Sequence, residues 1–420
     1  MPKNIVICCD GTGNQIESRL SNVLKLFRVL QKNEGQIVYY SPGVGTVGDY
    51  DSWQLAKVRV REFLGLATGY GLDDNVLDAY RFLCTHYEDG DAIWLFGFSR
   101  GAYTVRVLAA FVYVIGLLKP SQLNLAEYAF TAYKKASYDS HKTKYISDEE
   151  ALRAAASDAE IASGLPAAWE FRRISGGKPV TIKFVGVWDS VASVIVPRRD
   201  RLLLDMQRLR FTRTNPGVKI FRQAIAIDER RRMFRLNAWT EPQTFKTNPF
   251  NDKNWKPQDI KQVWFAGVHS DIGGGYPESE SGLSKYPLLW MINEAKTAGL
   301  KTSTAMVNYL VLGKPRKDSA RVYTPPDPVG MLHRSLKGPW WILEFLPKRT
   351  KWREWMRRPS FVGWYLPLGE PRPIPEGSLI HRSVLERITA EPDYCPVNFP
   401  PKQVRVSQSG EKPPVSNGGA

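Results

Sequence analysis

Ser99 sits in the run Gly97-Phe98-Ser99-Arg100-Gly101, where an apolar stretch from Ile93 to Phe96 meets a long apolar segment of helical character that reaches Leu118. Strand, sharp turn and helix in that order make a nucleophile elbow, which strains the serine backbone and lifts its hydroxyl clear of the sheet at a helix N-terminus. There the helix dipole and free N–H groups favour a developing negative charge. Gly97 and Gly101 are then required, because side chains at those positions collide with the neighbouring strand and helix.

A serine hydroxyl is a poor nucleophile near neutral pH, so a base must take its proton and an acid must hold the tautomer of that base. The chain has five histidines, His86, His141, His269, His333 and His381. His269 follows the apolar run VWFAGV and precedes SDIGGGY, which puts it at a strand end in a tight glycine loop. It is the best-placed base, with His381 in reserve. Asp189 closes the apolar strand IKFVGVW and is the matching acid. Asp228 and Glu229 fall within KIFRQAIAIDERRRMF, which reads as a helix, and with Arg230 to Arg232 they read as salt-bridge residues. Asp271, two residues past His269, is placed to pin the loop. Ser99, Asp189 and His269 thus stand in the chain order of α/β-hydrolases, at three successive strand ends.

The oxyanion needs two donors. One is the backbone N–H of Arg100. The other is Gly11 or Thr12 in Asp10-Gly11-Thr12-Gly13-Asn14, which leaves the first strand with little bulk. Asp10 is placed to fix that loop through Thr12 or Asn14. Neither a P-loop nor a paired dinucleotide fingerprint stands there, so nucleotide binding is not expected. No metal or cofactor is required.

These positions need a sheet to carry them. NIVICCD, QIVYYSPGVGT, AIWLFGFS, VTIKFVGVWDSV and QVWFAGVHSDIGGGY read as strands, and SNVLKLFRVLQ, VLDAYRFLCTHY and YPLLWMINEAKTAGL as helices. In SNVLKLFRVLQ the cap is Ser21 or Asn22. Strands separated by helices imply βαβ units and a mostly parallel sheet flanked by helices. The expected division is a hydrolase core over residues 1–300 with a helical cap inserted at about 119–178, a basic and aromatic extension over 301–407 packed on that core, and a disordered tail over 408–420.

The 420 residues, 43% hydrophobic and 12% aromatic, suffice for a sizeable core. Four cysteines without a CxxC pair suggest neither a disulfide framework nor a zinc site. Met1 leads almost directly into a strand, so no Sec signal peptide is expected; a cytoplasmic location follows, with non-Sec export left open. The most apolar segment, 105–118, is short and carries Arg106, which suits a core helix better than a membrane span. The net charge of +16 draws the chain toward anionic surfaces. The excess is concentrated at 197–213 and 347–358. Nucleic acid is not expected, because no recognition module is present. Between Gly338 and Pro367, Trp340, Trp341, Trp352 and Trp355 stand among basic residues, a composition that suits either contact with an anionic membrane surface or packing back onto the core.

CDGTGN, GFSRGAY, GVWDSV, AIDERR and GVHSDIGGGY, in that order, resemble the catalytic domain of the type VI secretion phospholipase-effector family. The resemblance runs from about Ile5 to Leu300 and more weakly beyond. It implies an α/β-hydrolase fold with a Ser-Asp-His triad, carried by motif onto Ser99, Asp189 and His269, and activity on glycerophospholipids. Gln223 stands where many relatives have a histidine, and it has no role in this reading. The function expected is carboxylic-ester hydrolysis through an acyl-enzyme, of lipase or phospholipase type. The alternatives are a non-catalytic scaffold on the same fold or a basic protein that binds anionic surfaces.

Overall fold

The computed structural model describes residues 2–11, 19–43, 71–139, 166–191, 195–197, 204–206, 209, 211–246, 255–317, 319–338, 340–350, 353–402 and 404–406. Thr12, Asn14, His141, Trp352, most of the basic cluster at 197–213 and the tail at 408–420 lie outside the described residues.

Strands β1 (Asn4–Cys9), β2 (Gln36–Ser41), β3 (Ala92–Phe98), β4 (Ile182–Trp188), β5 (Val218–Ala226), β6 (Asp259–Phe265), β7 (Leu379–His381) and β8 (Val404–Val406) form one sheet. Its order is β8-β7-β6-β5-β4-β3-β1-β2, and every neighbouring pair is parallel. The strand order reverses between β1 and β3. In doubly wound sheets the carboxyl ends at such a reversal open a crevice; the loops that carry Gly11 and Ser99 leave the sheet there, and those that carry Asp189 and His269 leave the same edge after β4 and β6. Helices cover both faces, which is why β1 and β4 read as nearly unbroken apolar runs.

One face holds α2 (Leu72–His86) and α3 (Arg100–Ile115), packed through Ile7, Leu95, Leu108 and Phe111. The other holds α1 (Asn22–Val29), packed through Val6, Phe96 and Leu26. Ser21 caps α1 by accepting the Leu24 N–H at 3.0 Å. Within the insertion, α4 (Ala126–Asp139) and α5 (Pro166–Ser175) are described, and Phe130 and Tyr133 of α4 pack on Phe111 of α3. Later in the chain come α6 (His269–Gly273), α7 (Gly282–Thr297), α8 (Thr304–Leu310), α9 (Trp340–Glu344) and α10 (Arg382–Ala390). The inner faces of α7 and α8 join the α1 side of the core through Trp290 and Leu310. Among the described residues no helix is long and apolar enough to cross a membrane.

The helix expected over KIFRQAIAIDERRRMF is instead strand β5 followed by a loop. Arg222 and Gln223 imitate the polar face of a helix, but inside the sheet each has partners. Arg222 bonds Glu294 at 2.7 Å and Asp259 at 2.9 Å, and Gln223 accepts from Arg106 at 2.8 Å. Burial of β-branched and aromatic neighbours between β4 and β6 then favours the extended chain. Two corrections follow. Asp228 and Glu229 lie past a strand end rather than within a helix, and β5 separates the strand ends that carry Asp189 and His269, which are therefore not successive.

Candidate active site

Ser99 occupies the turn between β3 and α3 with φ 56 and ψ −120, a positive-φ conformation that costs a non-glycine residue about 1–3 kcal/mol. Its surroundings impose that turn. The Ser99 N–H donates to the Trp188 carbonyl at 3.2 Å. A Cβ on Gly97 would stand 2.4 Å from the Gly101 carbonyl oxygen, and one on Gly101 only 2.1 Å from that of Cys9. Both glycines are thus fixed by backbone contacts that no side chain can relieve. Gly11, at the end of β1, lies against the serine, since a Cβ there would be 3.3 Å from Ser99 Cβ.

Asp189 and His269 meet across the end of β5. The imidazole Nδ1 stands 2.5 Å from Asp189 Oδ2, and both residues are buried. Asp189 has φ 36, and its Oδ1 accepts the Ala226 N–H at 3.0 Å. Arg372 grips the same carboxylate with two bonds, Nη1 to Oδ1 at 2.6 Å and Nη2 to Oδ2 at 3.0 Å. The guanidinium also donates to the Ala226 and Phe234 carbonyls. Burial alone would raise the Asp189 pKa; Arg372 and then His269 outweigh it and hold the carboxyl well below the usual carboxylate range. Burial pushes the His269 imidazole toward its neutral form, against the pull of Asp189. Its Nε2 is buried and has no hydrogen-bond partner, so the structure contains no Ser99–His269 hydrogen bond.

The ring of His269 is walled by Phe98, the residue before Ser99, at 4.7 Å between centroids, and by Phe234 at 4.8 Å. Glu229 receives the His269 backbone N–H at 3.1 Å and ion-pairs with Arg231. Burial opposes its charge, yet Arg231 holds it at about 2. The salt-bridge reading of Glu229 therefore stands, and the residue also anchors the loop that carries His269. Asp228, pushed by burial up to about 6, takes the Gly267 N–H at 2.7 Å and the Tyr394 hydroxyl at 2.9 Å. Asp271 accepts the Val268 N–H at 3.0 Å and pairs with His333 Nδ1 at 2.6 Å, while His333 Nε2 reaches Glu280 at 3.0 Å. In the glycine run, a Cβ on Gly273 would fall 1.9 Å from the Phe98 ring, which explains a glycine at that position.

In the loop after β1, the bonds expected from Asp10 to Thr12 or Asn14 fall on residues outside those described. Asp10 accepts from the Gly11 N–H at 2.7 Å and from the hydroxyls of Ser21 and Tyr40. The Gly11 N–H is therefore engaged by Asp10. The Arg100 amide lies in the first turn of α3. His381 does not join the site. It caps α10, with Nδ1 accepting the Ser383 N–H at 3.2 Å, and stacks on Phe265. His86 ends α2, exposed, on Phe82. Gln223 gains a structural partner in Arg106. Among the described residues no cluster of three His, Cys, Asp or Glu side chains is set to hold a metal ion.

Sequence reasoning missed Arg372, His333 and Phe234. Arg372 lies 183 positions from Asp189, between two prolines in an irregular segment, and a single sequence carries no local mark of such a contact.

Parallel strands wrapped by helices on both sides, with a strained serine at the turn between the third strand and its helix, define an α/β-hydrolase-like fold. Residues 3–294 match the family described as T6SS, phospholipase effector Tle1-like, catalytic domain, and the chain belongs to that family. An uncharacterized protein of Saccharomyces cerevisiae is 34% identical over 247 residues, 57% of this chain and 33% of that protein. Two solved structures are similar at low identity. An uncharacterized protein from Pseudomonas aeruginosa has TM-score 0.35 and 18% identity, covering 72% of this chain and 46% of its own. The Tle1 effector bound to the VgrG spike of the type 6 secretion system has TM-score 0.31 and 19% identity, covering 67% and 53%. The chain spans about a third of the curated relative and about half of each solved chain.

Proposed function

We propose that the chain is a serine ester hydrolase of phospholipase type that works through an acyl-enzyme. The observation that carries the reading is the buried Asp189–His269 pair, whose free Nε2 lies on a ring packed against the residue preceding the elbow serine. Ser99 Oγ attacks the acyl carbonyl as His269 Nε2 takes its proton. Asp189 holds Nδ1–H and stabilises the imidazolium. The Arg100 and Thr12 amides receive the oxyanion, since the Gly11 N–H is held by Asp10. Collapse breaks the ester C–O bond, and the imidazolium returns its proton to the leaving alcohol. Water, deprotonated by the same imidazole, then releases the fatty acid and regenerates Ser99. Free enzymes often lack the Ser–His hydrogen bond and form it once substrate is bound. Membership in a phospholipase-effector family favours a lipid ester as substrate.

Ser99→Ala tests this reading. The variant should melt like the wild type, take up no fluorophosphonate probe, and lose ester turnover by about a million-fold, the scale of losing a triad nucleophile. A modest drop, or a probe adduct elsewhere in the folded protein, removes Ser99 from the reaction.

A further inference from the structure

Helix α9 presents two unlike faces. Its inward residues are tied to the base. Trp340 stands edge-on to Phe234 at 5.5 Å, Phe234 stands edge-on to His269 at 4.8 Å, and Arg231 lies over both aromatic rings. Glu344 is buried and accepts the Arg232 N–H at 2.6 Å and the Gly369 N–H at 3.1 Å. The outward residues are open to solvent. Ile342 is 69% and Phe345 59% exposed, with Trp341 and Leu346 also open. Next to α9 two short strands pair Lys348–Arg349 with Trp364–Tyr365, and the turn that leads into the second bares Phe361 at 83% and Val362 at 78%. Glu370, buried beneath the strands, holds Lys348 at 3.0 Å and the Tyr365 hydroxyl at 2.8 Å.

Soluble proteins rarely leave so many large apolar side chains open together without a use for them. The charge around them is one-sided. Lys337, Arg349 and Arg357 are exposed on this segment. Its two acidic residues are withdrawn, Glu344 into the interior and Glu354 onto Arg235. Trp and Phe among Lys and Arg are the side chains that settle at the boundary of an anionic leaflet. A second copy is a poor occupant, because it would bring the same cations face to face. A nucleic acid would leave Ile342, Phe345 and Phe361 without a partner.

We propose that α9, the paired strands Lys348–Arg349 and Trp364–Tyr365 and the turn at Phe361–Val362 form a docking face for a bilayer containing acidic phospholipid, placed so that the membrane surface meets the chain beside His269. The apolar side chains enter the leaflet, the cations engage headgroups, and the wall Trp340–Phe234 lies between the docked surface and the imidazole. This deepens the ester-hydrolase reading, and its link to substrate delivery rests on that reading.

The test uses the full chain with vesicles of phosphatidylcholine alone and of an equimolar phosphatidylcholine–phosphatidylserine mixture. Three proteins are compared: wild type, Phe345→Ser/Phe361→Ser and Arg349→Gln/Arg357→Gln. All three should melt alike and hydrolyse a water-soluble short-chain ester alike, since none of the four positions touches the reacting groups. Wild type should float with the mixed vesicles and much less with phosphatidylcholine. The arginine variant should bind the mixed vesicles about 25-fold more weakly, about fivefold per cation removed from an acidic surface. The serine variant should lose at least tenfold, together with turnover of vesicle lipid. Equal vesicle binding by all three proteins overturns the proposal. So does a wild-type dimer in sedimentation that Phe345→Ser/Phe361→Ser disperses, because the face then belongs to a second copy. Loss of soluble-ester turnover in Ser99→Ala with vesicle binding intact leaves docking standing, and its absence in an otherwise docked wild type sinks only the catalytic reading.

Discussion

Replacing Arg372 with methionine removes a buried positive charge from the carboxylate that holds the candidate base. The two bonds to the shared Asp189 Oδ2, 3.0 Å from Nη2 and 2.5 Å from Nδ1, place guanidinium and imidazole nitrogens no more than about 5.5 Å apart. At an effective dielectric near 20, two unit charges at that distance repel by about 3 kcal/mol, equivalent to about 2 pH units. Arg372 therefore disfavours the imidazolium, and its loss favours the protonated ring. The sign follows: His269 in Arg372→Met becomes a free base only at higher pH, so the acid limb of kcat/KM moves upward by up to about 2 pH units. Glu229 and Arg231, which face the imidazole from the loop after β5, are the same in both proteins. The assay is hydrolysis of a soluble short-chain ester across pH, with circular dichroism to verify the fold. The variant should also lose about 3–5 kcal/mol of stability, because Asp189 is left buried without its cation. Arg372→Lys keeps the charge and should leave the limb in place while losing the two-pronged grip. A folded Arg372→Met whose acid limb coincides with wild type refutes the electrostatic argument.

Two further outcomes are expected. Arg106 is fully buried, and burial brings it down to about 9; Gln223 is its side-chain acceptor, and no described carboxylate bonds it. Gln223→Leu should therefore cost about 1–3 kcal/mol in urea unfolding, whereas Gln223→Glu should hold or raise stability, and a leucine variant as stable as wild type would contradict this account. His333 is raised by Asp271 and then Glu280 against its burial, so its contribution is complete below about pH 6.5 and fades as the pH climbs through the higher folded-state value. Subtracting the stability–pH curve of His333→Gln from that of wild type should expose this fall toward alkaline pH, and a flat difference argues against the Asp271–His333–Glu280 clamp.

The parallel architecture was legible because each sheet strand up to β4 carries its own apolar run, and β1 and β4 give way directly to an aspartate. The elbow was legible for a local reason: Gly97 and Gly101 answer contacts within a few residues of Ser99 and with the end of β1. The bond between Asp189 and His269 follows from two strand ends facing one crevice. Strand β5 was misread because Arg222 and Gln223 are polar, and only the positions of Glu294 and Arg106 reveal that they are satisfied inside a sheet. Arg372 and His333 were invisible for a related reason. Their partners lie 183 and 62 positions away, and a contact across such distances leaves no periodicity or spacing to read. His381 shows the reverse error, a histidine at a strand end whose ring is committed to capping the helix that follows.

The family match stops at residue 294, yet β7 completes the β6 edge and Arg372 neutralises the acid behind the imidazole. The unit that holds the candidate site and the recognisable unit are therefore different lengths of chain. A fragment cut where the homology fades would bare a strand edge and strand a lone anion in its interior. Drift in the least recognisable third of the polypeptide can thus retune proton affinity at the centre while every signature motif stays intact.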